Sequence, residues 1–276
     1  MTVTVADMLR LLERIAPADL AEEWDNPGLQ VGGRDWPVKK VWVALDPLPE
    51  VVSAACADGA DLLVTHHPLL LRPVRSIDVT APAGRILEEA ITRRLAVVAA
   101  HTNLDSAGGG LNDLLAGRIG LENISSLTRP ASGDDPHPPA GGALRGIGRV
   151  GNLENPRRLV DLAGDFKMQL GLSAVRYAGE PEMAVNTVAI CTGSGASLMK
   201  DFFASGADVF VSGDLRYHDA RDVEMAGRGI IDIGHFGSEH FMVDAVADRI
   251  RAILAEEALS VAVFACRLEK DPFHLL

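Results

Sequence analysis

The sequence predicts an α/β protein of two interlocked lobes, each with a largely parallel or mixed sheet covered by helices. Short apolar runs alternate with segments of helical periodicity along most of the 276 residues. Several of these runs are apolar on both faces, which is typical of strands buried in a parallel sheet. A segment rich in proline and glycine interrupts the alternation once, which indicates two lobes rather than one.

The first lobe begins with a helix, because Thr4 and Asp7 have the spacing of a capping box and an apolar face follows up to Pro17. The segment Trp24–Gly28 has the composition of a turn. Strands are then predicted at 41–45, 62–65 and 96–100, and helices at 50–57, 85–94 and 111–119.

Residues 128–142 are predicted to be a linker, since prolines and glycines dominate them. Leu159, Leu162 and Phe166 form one face of a helix after it. Strands follow at 188–191, 209–212, 230–233 and 261–266, and helices at 197–204, 218–226 and 241–256, the last with Ser238 as its N-cap. We therefore predict a first lobe of residues 1–127 together with 237–276, and a second lobe of residues 128–236.

The composition indicates which classes of binding partner and which cellular compartment to expect for this protein. The net charge of −12 argues against direct nucleic-acid binding and against an anionic membrane surface, but it is compatible with a small anionic substrate that meets a local positive charge. The three cysteines are widely spaced, which predicts no disulfide framework and favours the cytoplasm. We expect neither a secretory signal nor a membrane span, because no apolar stretch approaches about 18 residues.

Imidazole and carboxylate side chains follow three of the predicted strands. In open α/β sheets ligands bind at the carboxyl ends of the strands, so these side chains predict a metal centre there, in the cleft between the lobes. Pro68 ends the regular strand, so that the two adjacent histidines before it can face one cavity and bind separate ions. The side chains concerned are His66, His67, His101, Asp105, His235 and Glu239.

Four segments in the same order resemble the signature segments of the GTP cyclohydrolase I type 2 homolog family, the NGG-interacting-factor-like proteins. They are residues 62–68, 99–113, 212–220 and 232–240, and residues 24–32 and 45–47 match the family's opening segments. The resemblance implies a dinuclear centre with two divalent ions (zinc, iron, manganese or nickel) and a toroidal homohexamer. The metal ligands that it implies are His66, His67, Asp105, His235 and Glu239, with Glu239 as the bridge.

His101 has three open roles: a metal ligand, a proton shuttle, or a residue that orients a ligand. We favour the last two and name it the catalytic candidate. His218 either lines the cleft or caps its helix.

Two glycine-rich segments and several arginines are weaker signals. Residues 146–151 satisfy G-x-G-x-x-G, but no helix pattern follows, which favours a β-turn over a dinucleotide loop. Residues 192–195 either bind an anion at a helix N-terminus or pack as a tight turn, and we favour packing. Four arginines either meet a phosphorylated substrate or lie at the surface: Arg72, Arg75, Arg145 and Arg149.

The predicted function is that of a metal-dependent hydrolase acting on a nucleotide or another phosphorylated small molecule. The family name implies opening of the purine ring of GTP. The alternatives are a metal-binding or delivery protein without enzymatic activity, and a transcription-linked interaction factor, which the acidic composition disfavours.

Overall fold

The computed structural model describes residues 2–128 and 144–274. The chain forms two compact units. Unit 1 comprises Met1–Leu104 and Phe241–Lys270, and unit 2 comprises Asp105–His240 and Asp271–Leu276. Residues 129–142 of the predicted linker, with His137 among them, lie outside the described residues.

Unit 1 contains alternating strands and helices and is closed by the C-terminal helix and strand. Its elements are α1 (Val5–Leu12), β1 (Gly28–Val31), β2 (Lys40–Ala44), α2 (Pro49–Ala57), β3 (Leu62–Thr65), α3 (Pro82–Arg93), β4 (Ala96–Ala99), α10 (Met242–Glu256) and β11 (Ala262–Ala265). A short helix, α4 (Thr102–Ser106), carries the chain from unit 1 into unit 2.

The sheet of unit 1 has five strands in the order β1-β4-β3-β2-β11. Strands β4, β3, β2 and β11 pair in parallel, and β1 is an antiparallel edge strand beside β4. All residues of β3 and β4 are buried, as expected for central strands covered on both faces. The carboxyl ends of β2, β3 and β4 therefore lie side by side at one edge of the sheet.

Unit 2 holds the remaining elements. They are α5 (Leu111–Arg118), β5 (Glu122–Ser126), β6 (Arg149–Arg158), α6 (Leu159–Gln169), β7 (Arg176–Ala178), β8 (Ala184–Ser194), α7 (Met199–Ser205), β9 (Val209–Gly213), α8 (Tyr217–Met225), β10 (Gly229–Asp232) and α9 (His235–Glu239). The sheet has six strands in the order β5-β6-β8-β9-β10-β7, with β8, β9 and β10 parallel and the other neighbours antiparallel.

The predicted α/β class, with mixed sheets covered by helices, is confirmed. The helix signal at the N-terminus is also confirmed: the Asp7 side chain accepts a hydrogen bond from the Thr4 backbone at 2.9 Å, and the Thr4 hydroxyl accepts one from the Asp7 backbone at 3.3 Å. Leu159, Leu162 and Phe166 are buried on one face of α6, as their spacing predicts. Within the described residues, no helix combines the length and the apolarity that crossing a membrane requires.

The boundary between the units differs from the predicted one. Residues 105–127 and 237–240 belong to unit 2, although the sequence pattern places them in the first lobe. For residues 122–126 the reason is strand pairing, because β5 pairs antiparallel with β6 and so joins the second sheet. The sequence does not reveal this, because β5 and most of β6 are exposed or half-buried and lack an apolar alternation.

Candidate metal centre

Three histidines meet at the carboxyl edge of the unit 1 sheet. His66 and His67 directly follow β3, and His101 follows β4 after one intervening residue, Ala100. The backbone N–H groups of His66 and His67 both donate to the carbonyl of Leu45, at 3.1 and 3.0 Å. The regular strand therefore ends here, and the two adjacent side chains need not point to opposite faces.

We refer to His66, His67 and His101 as the histidine cluster. The ring centroids lie 5.0 Å apart for His66 and His67, 5.1 Å for His66 and His101, and 5.6 Å for His67 and His101. One ring nitrogen from each of the three lies within 4.8 Å of the others. Three nitrogens at this spacing suit a single transition-metal ion, which binds imidazole nitrogen at about 2.0–2.1 Å in the case of zinc.

The ring of His101 is oriented by Asp25. Nδ1 of His101 lies 2.8 Å from Oδ1 of Asp25, whose other oxygen accepts from the hydroxyl of Thr102 at 2.5 Å. Burial raises the pKa of Asp25, but the hydrogen bonds from His101 and Thr102 outweigh it and bring that pKa to about 2. Asp25 is therefore an ionised acceptor at neutral pH, so Nδ1 of His101 carries the proton and Nε2 is free to bind a cation.

His66 and His67 have the same kind of support. Nδ1 of buried His66 lies 2.8 Å from the carbonyl oxygen of Ala100, which can only accept, so this nitrogen carries a proton. Nδ1 of His67 lies 2.7 Å from Oδ1 of Asp46. Asp46 is fixed in turn by the carboxylate of Glu269, which accepts a hydrogen bond from the backbone N–H of Asp46 at 2.7 Å. All three rings therefore direct Nε2 away from their supports.

Unit 2 contains a second set of candidate ligands, which lies on and near α9. Nδ1 of His235 lies 2.7 Å from Oδ2 of Asp214, the residue that follows β9. Nε2 of His235 lies 3.1 Å from Oε2 of Glu239, one helical turn later. Glu239 is buried, whereas the side chain of His235 is 35% exposed and accessible from solvent.

The end of β8 contacts both carboxylates of this second set. The hydroxyl of Thr192 donates to Oδ1 of Asp105 at 3.2 Å. The next residue, Gly193, has φ +65°, and a Cβ added to it would lie 2.2 Å from Oε1 of Glu239. Asn112 holds this arrangement, because its side chain donates to the carbonyl of Asp105 at 3.0 Å and accepts from the N–H of Thr192 at 2.9 Å. Residues 192–194 are thus the packed end of strand β8 and not the tight turn that the sequence favours.

Ser238 is not the N-cap of the long helix, so this prediction is wrong. Residues His235–Glu239 form a separate short helix that precedes α10. Within it, the Ser238 hydroxyl donates to the carbonyl of His235 at 2.8 Å and accepts from the N–H of Gly193 at 2.8 Å. Ser238 therefore fixes α9 against the end of β8 instead of capping a helix.

Arg149 is not available to a substrate. Its side chain is completely buried, forms an ion pair with Asp113, and donates to the carbonyls of Gly146 at 2.6 Å and Gly148 at 2.8 Å. Its role is to hold the turn before β6, and residues 146–151 lead into this strand rather than into a helix. The chain bends at Gly146 and Ile147 before this strand, so no helix opens at the G-x-G-x-x-G sequence, as the sequence pattern predicts.

The other predicted candidates are more peripheral. Arg72, Arg75 and His218 are exposed. Two further histidines belong to neither set of candidate ligands: His274 is exposed, and the ring of His240 stacks on Phe236 with centroids 4.4 Å apart. The residues that sequence reasoning gave no role are the supporting aspartates, Asp25, Asp46 and Asp214. The available signal was their position: two follow a strand directly or after one residue, and the third lies in the turn Trp24–Gly28.

The sequence model of the Duf34/NIF3 (NGG1p interacting factor 3) family matches residues 3–272. The chain belongs to the Duf34/NIF3 family. Curated relatives named GTP cyclohydrolase 1 type 2 homolog include a Clostridium perfringens protein, 35% identical over 270 residues with 98% of each chain covered. A Streptomyces coelicolor relative of the same name is 35% identical and covers 98% of this chain and 93% of its own. The resemblance seen in the sequence is thereby confirmed.

Solved structures agree with this family assignment. A Bacillus cereus protein related to NIF3 superimposes with a TM-score of 0.91 at 27% identity, with both chains fully covered. A Staphylococcus aureus protein, SA1388, has a TM-score of 0.89 at 31% identity, again over both whole chains. Reduced HcgD from Methanocaldococcus jannaschii has a TM-score of 0.79 at 30% identity and covers 96% of this chain and 98% of its own.

Proposed function

We propose that this Duf34/NIF3 protein is a metal-dependent hydrolase that acts on a nucleotide or another phosphorylated small molecule. The observation that carries the proposal is the histidine cluster, in which each Nδ1 lies beside an oxygen acceptor and one ring nitrogen of each histidine lies within 4.8 Å of the others. Metal-binding histidines typically donate their second ring N–H to a carboxylate or carbonyl in this way. The names of the curated relatives support a nucleotide substrate.

The donor chemistry of each unit fits one divalent ion. In unit 1, the ligands would be Nε2 of His66, His67 and His101, so that His101 is proposed as a ligand rather than as a proton shuttle. In unit 2, the ligands would be His235, Glu239 and Asp105, which supply one imidazole and two carboxylates. Mixed imidazole and carboxylate donors suit zinc, iron, manganese or nickel.

A bound divalent cation would polarise the electrophile and lower the pKa of a nearby water. The chain's own contribution is orientation. Asp25, Asp46 and Asp214 fix the ring planes of three histidines, which keeps the donor nitrogens in place before an ion arrives. The partial exposure of His235 leaves a route by which a small substrate can approach from solvent.

Metal analysis of purified protein tests the proposed sites directly. We expect about two ions per chain in the wild-type protein and about one in each of His66→Ala and Glu239→Ala, because each substitution removes a ligand from one set only. His218→Ala is the matched control, since this exposed histidine belongs to neither set. Unchanged metal content in both ligand variants would exclude the sites.

Turnover is tested with metal-loaded protein and GTP, followed by formate release and by the absorbance of the purine ring, and with a panel of phosphate esters. We expect hydrolysis of at least one of them, and its loss in His66→Ala. A fully loaded protein that hydrolyses none would contradict the hydrolase proposal and favour metal binding without catalysis.

A further inference from the structure

A cavity of about 250 Å³ opens in unit 2 between β7, the end of β10 and the start of α8. We call it the tyrosine pocket, because Tyr177 and Tyr217 both border it and are the two tyrosines of the whole chain. Leu215 and Ile230 contribute apolar walls. The two aromatic side chains are 40% and 67% exposed, so their rings are accessible to a ligand.

Two arginines at the pocket are held in fixed positions by buried carboxylates. Nε and Nη2 of Arg216 both donate to Asp219, each at 3.0 Å, and Nη2 of Arg176 donates to Asp232. The arginine side chains are 68% and 77% exposed, whereas those of the two aspartates are 7% and 9% exposed. Among the described residues, Nη1 of neither arginine donates a hydrogen bond, so these groups remain available to an anion.

The orientation of Tyr217 is also fixed. The guanidinium of Arg221 lies 5.3 Å from the ring centroid, and its Nε donates to the tyrosine hydroxyl at 3.0 Å. An aromatic ring held in this way loses little conformational entropy when a planar ligand stacks on it.

The position of the tyrosine pocket connects it with the second set of candidate ligands. Leu215, in its wall, directly follows Asp214, which supports His235. Asp232, also in its wall, is the last residue of β10 and accepts the backbone N–H of Gly234 at 2.9 Å, one residue before His235. The pocket and the candidate ligand His235 therefore share the carboxyl ends of β9 and β10, where α/β sheets bind ligands.

We infer that the tyrosine pocket binds a planar aromatic ring that carries an anionic group, and that this ring is part of the substrate. Stacking on tyrosine selects the ring, and the anchored guanidinium groups select a phosphate or carboxylate. The volume lies below the roughly 300–1,000 Å³ typical of pockets for whole drug-sized ligands, so a ring fits inside while the remainder projects outward. That the ring belongs to the substrate rests on the proposed function, whereas ring binding itself does not.

Fluorine NMR of the protein labelled with 3-fluorotyrosine tests the inference, because the chain gives two signals and both report on the pocket. Tyr177→Phe and Tyr217→Phe assign them. Metal-free protein is titrated with guanosine 5′-monophosphate, which has ring and anion, with guanosine, and with ribose 5-phosphate. We expect saturable shifts of both signals with the monophosphate, and binding at least tenfold weaker with ribose 5-phosphate.

Arginine variants define which groups bind the anion. Arg216→Ala and Arg176→Ala should each weaken monophosphate binding about tenfold and leave guanosine binding nearly unchanged. Arg158→Ala is the matched control, because Arg158 also forms exposed ion pairs with carboxylates but does not border the pocket. Arg176→Ala keeps the test decisive if Arg216→Ala destabilises α8, at whose start Arg216 lies.

Four results would overturn the inference: no shift with any ring-bearing probe, equal shifts with ribose 5-phosphate, equal losses in Arg158→Ala, or shifts that follow protein concentration instead. The last result would identify the pocket as a contact between copies of this chain. Because the readout needs neither metal nor turnover, its failure is distinguishable from failure of the metal sites. A wild-type protein that binds no metal but still gives these shifts would contradict the proposed function alone.

Discussion

Among the residues that the structure describes, four histidines share one local arrangement, in which Nδ1 lies beside an oxygen acceptor and Nε2 points away from it. The acceptors come from separate segments: the carbonyl of Ala100 and the side chains of Asp46, Asp25 and Asp214. Fixing Nδ1–H as the donor selects the tautomer with a lone pair on Nε2, which is the form that binds metal. The ability of these histidines to bind a metal ion therefore depends on the supporting oxygens as much as on the imidazoles.

Removing one supporting oxygen should weaken metal binding at the histidine that it orients. Asp214 has φ +54°, so Asp214→Gly removes the acceptor without straining the backbone, and Asp214→Asn keeps an acceptor but removes the charge. We expect about a 10–100-fold loss of affinity in the glycine variant and a smaller loss in the asparagine variant. Competition with a chromogenic chelator measures the affinity, and exposed Asp222→Ala is the control. Equal affinities in all four proteins would show that this hydrogen bond does not support a ligand.

The close approach of Gly193 to Glu239 allows a second test at the scale of one atom. Gly193→Ala introduces a methyl group where Oε1 of Glu239 lies and imposes a left-handed conformation that costs alanine about 1–3 kcal/mol. We expect a lower melting temperature and loss of about one metal ion per chain. Gly164→Ala is the matched control, because Gly164 is in helix α6 and its added Cβ would meet open space. If Gly193→Ala keeps the metal content of the wild-type protein, Glu239 can move away from the new methyl group without loss of an ion.

At the scale of elements, the sequence predicts the buried parallel strands well, because their apolar runs leave few alternatives. The residues of β3 are predicted correctly at both ends, and β9 and β10 within one residue. Edge strands β1 and β7 and helix α9 are not predicted. They have three to five residues each, and α9 includes Gly237 in a segment whose composition is that of a turn. Their conformation is decided by tertiary contacts, such as that of Ser238 with Gly193.

The positions of the candidate ligands were predictable because these polar side chains follow apolar runs that the sequence identifies as buried strands. The supporting aspartates were not, because a single aspartate in a turn is common and nothing local links it to a distant histidine. The buried ion pair of Arg149 illustrates the opposite case. An arginine between a glycine and a valine has no sequence signal that separates a structural role from a substrate contact, and only its burial decides between the two.

The ion pair of Arg149 and Asp113 connects the start of β6 with α5, so its loss should destabilise unit 2. Arg149→Met leaves the Asp113 carboxylate without its ion-pair partner and frees three backbone carbonyls, and we expect a loss of about 3–5 kcal/mol. Urea unfolding followed by circular dichroism measures it. Exposed Arg157→Ala, which removes a surface ion pair with Asp165, should cost less than about 1 kcal/mol. A double variant Arg149→Met with Asp113→Leu should recover part of the stability, and equal losses in the single and double variants would contradict this account.

At the scale of the whole molecule, the histidine cluster belongs to unit 1 and the second set of ligands to unit 2, although the sequence assigns Asp105 and Glu239 to the first lobe. The histidine cluster follows β3 and β4, and His235 and Glu239 follow β10, whereas Asp105 of unit 2 lies in α4, which follows β4. The pairing of β5 with β6 places β5 in unit 2, and no local sequence pattern predicts this pairing. Stability of both units should consequently depend on metal.

Because the proposed ligand sets need the folded chain, metal should stabilise the native state by mass action. A free metal concentration 100 times the dissociation constant contributes about 2.7 kcal/mol per site, which corresponds to a rise of roughly 5–10 °C in melting temperature. His66→Ala and His235→Ala each remove a ligand from one unit, so each should lose part of this rise, and the double variant should lose nearly all of it. Differential scanning calorimetry of metal-free and loaded protein measures the rise, with His218→Ala as the control that keeps it in full. A melting temperature independent of metal in the wild-type protein would show that ions do not bind the folded chain at these sites, because preferential binding to the native state necessarily shifts the unfolding equilibrium.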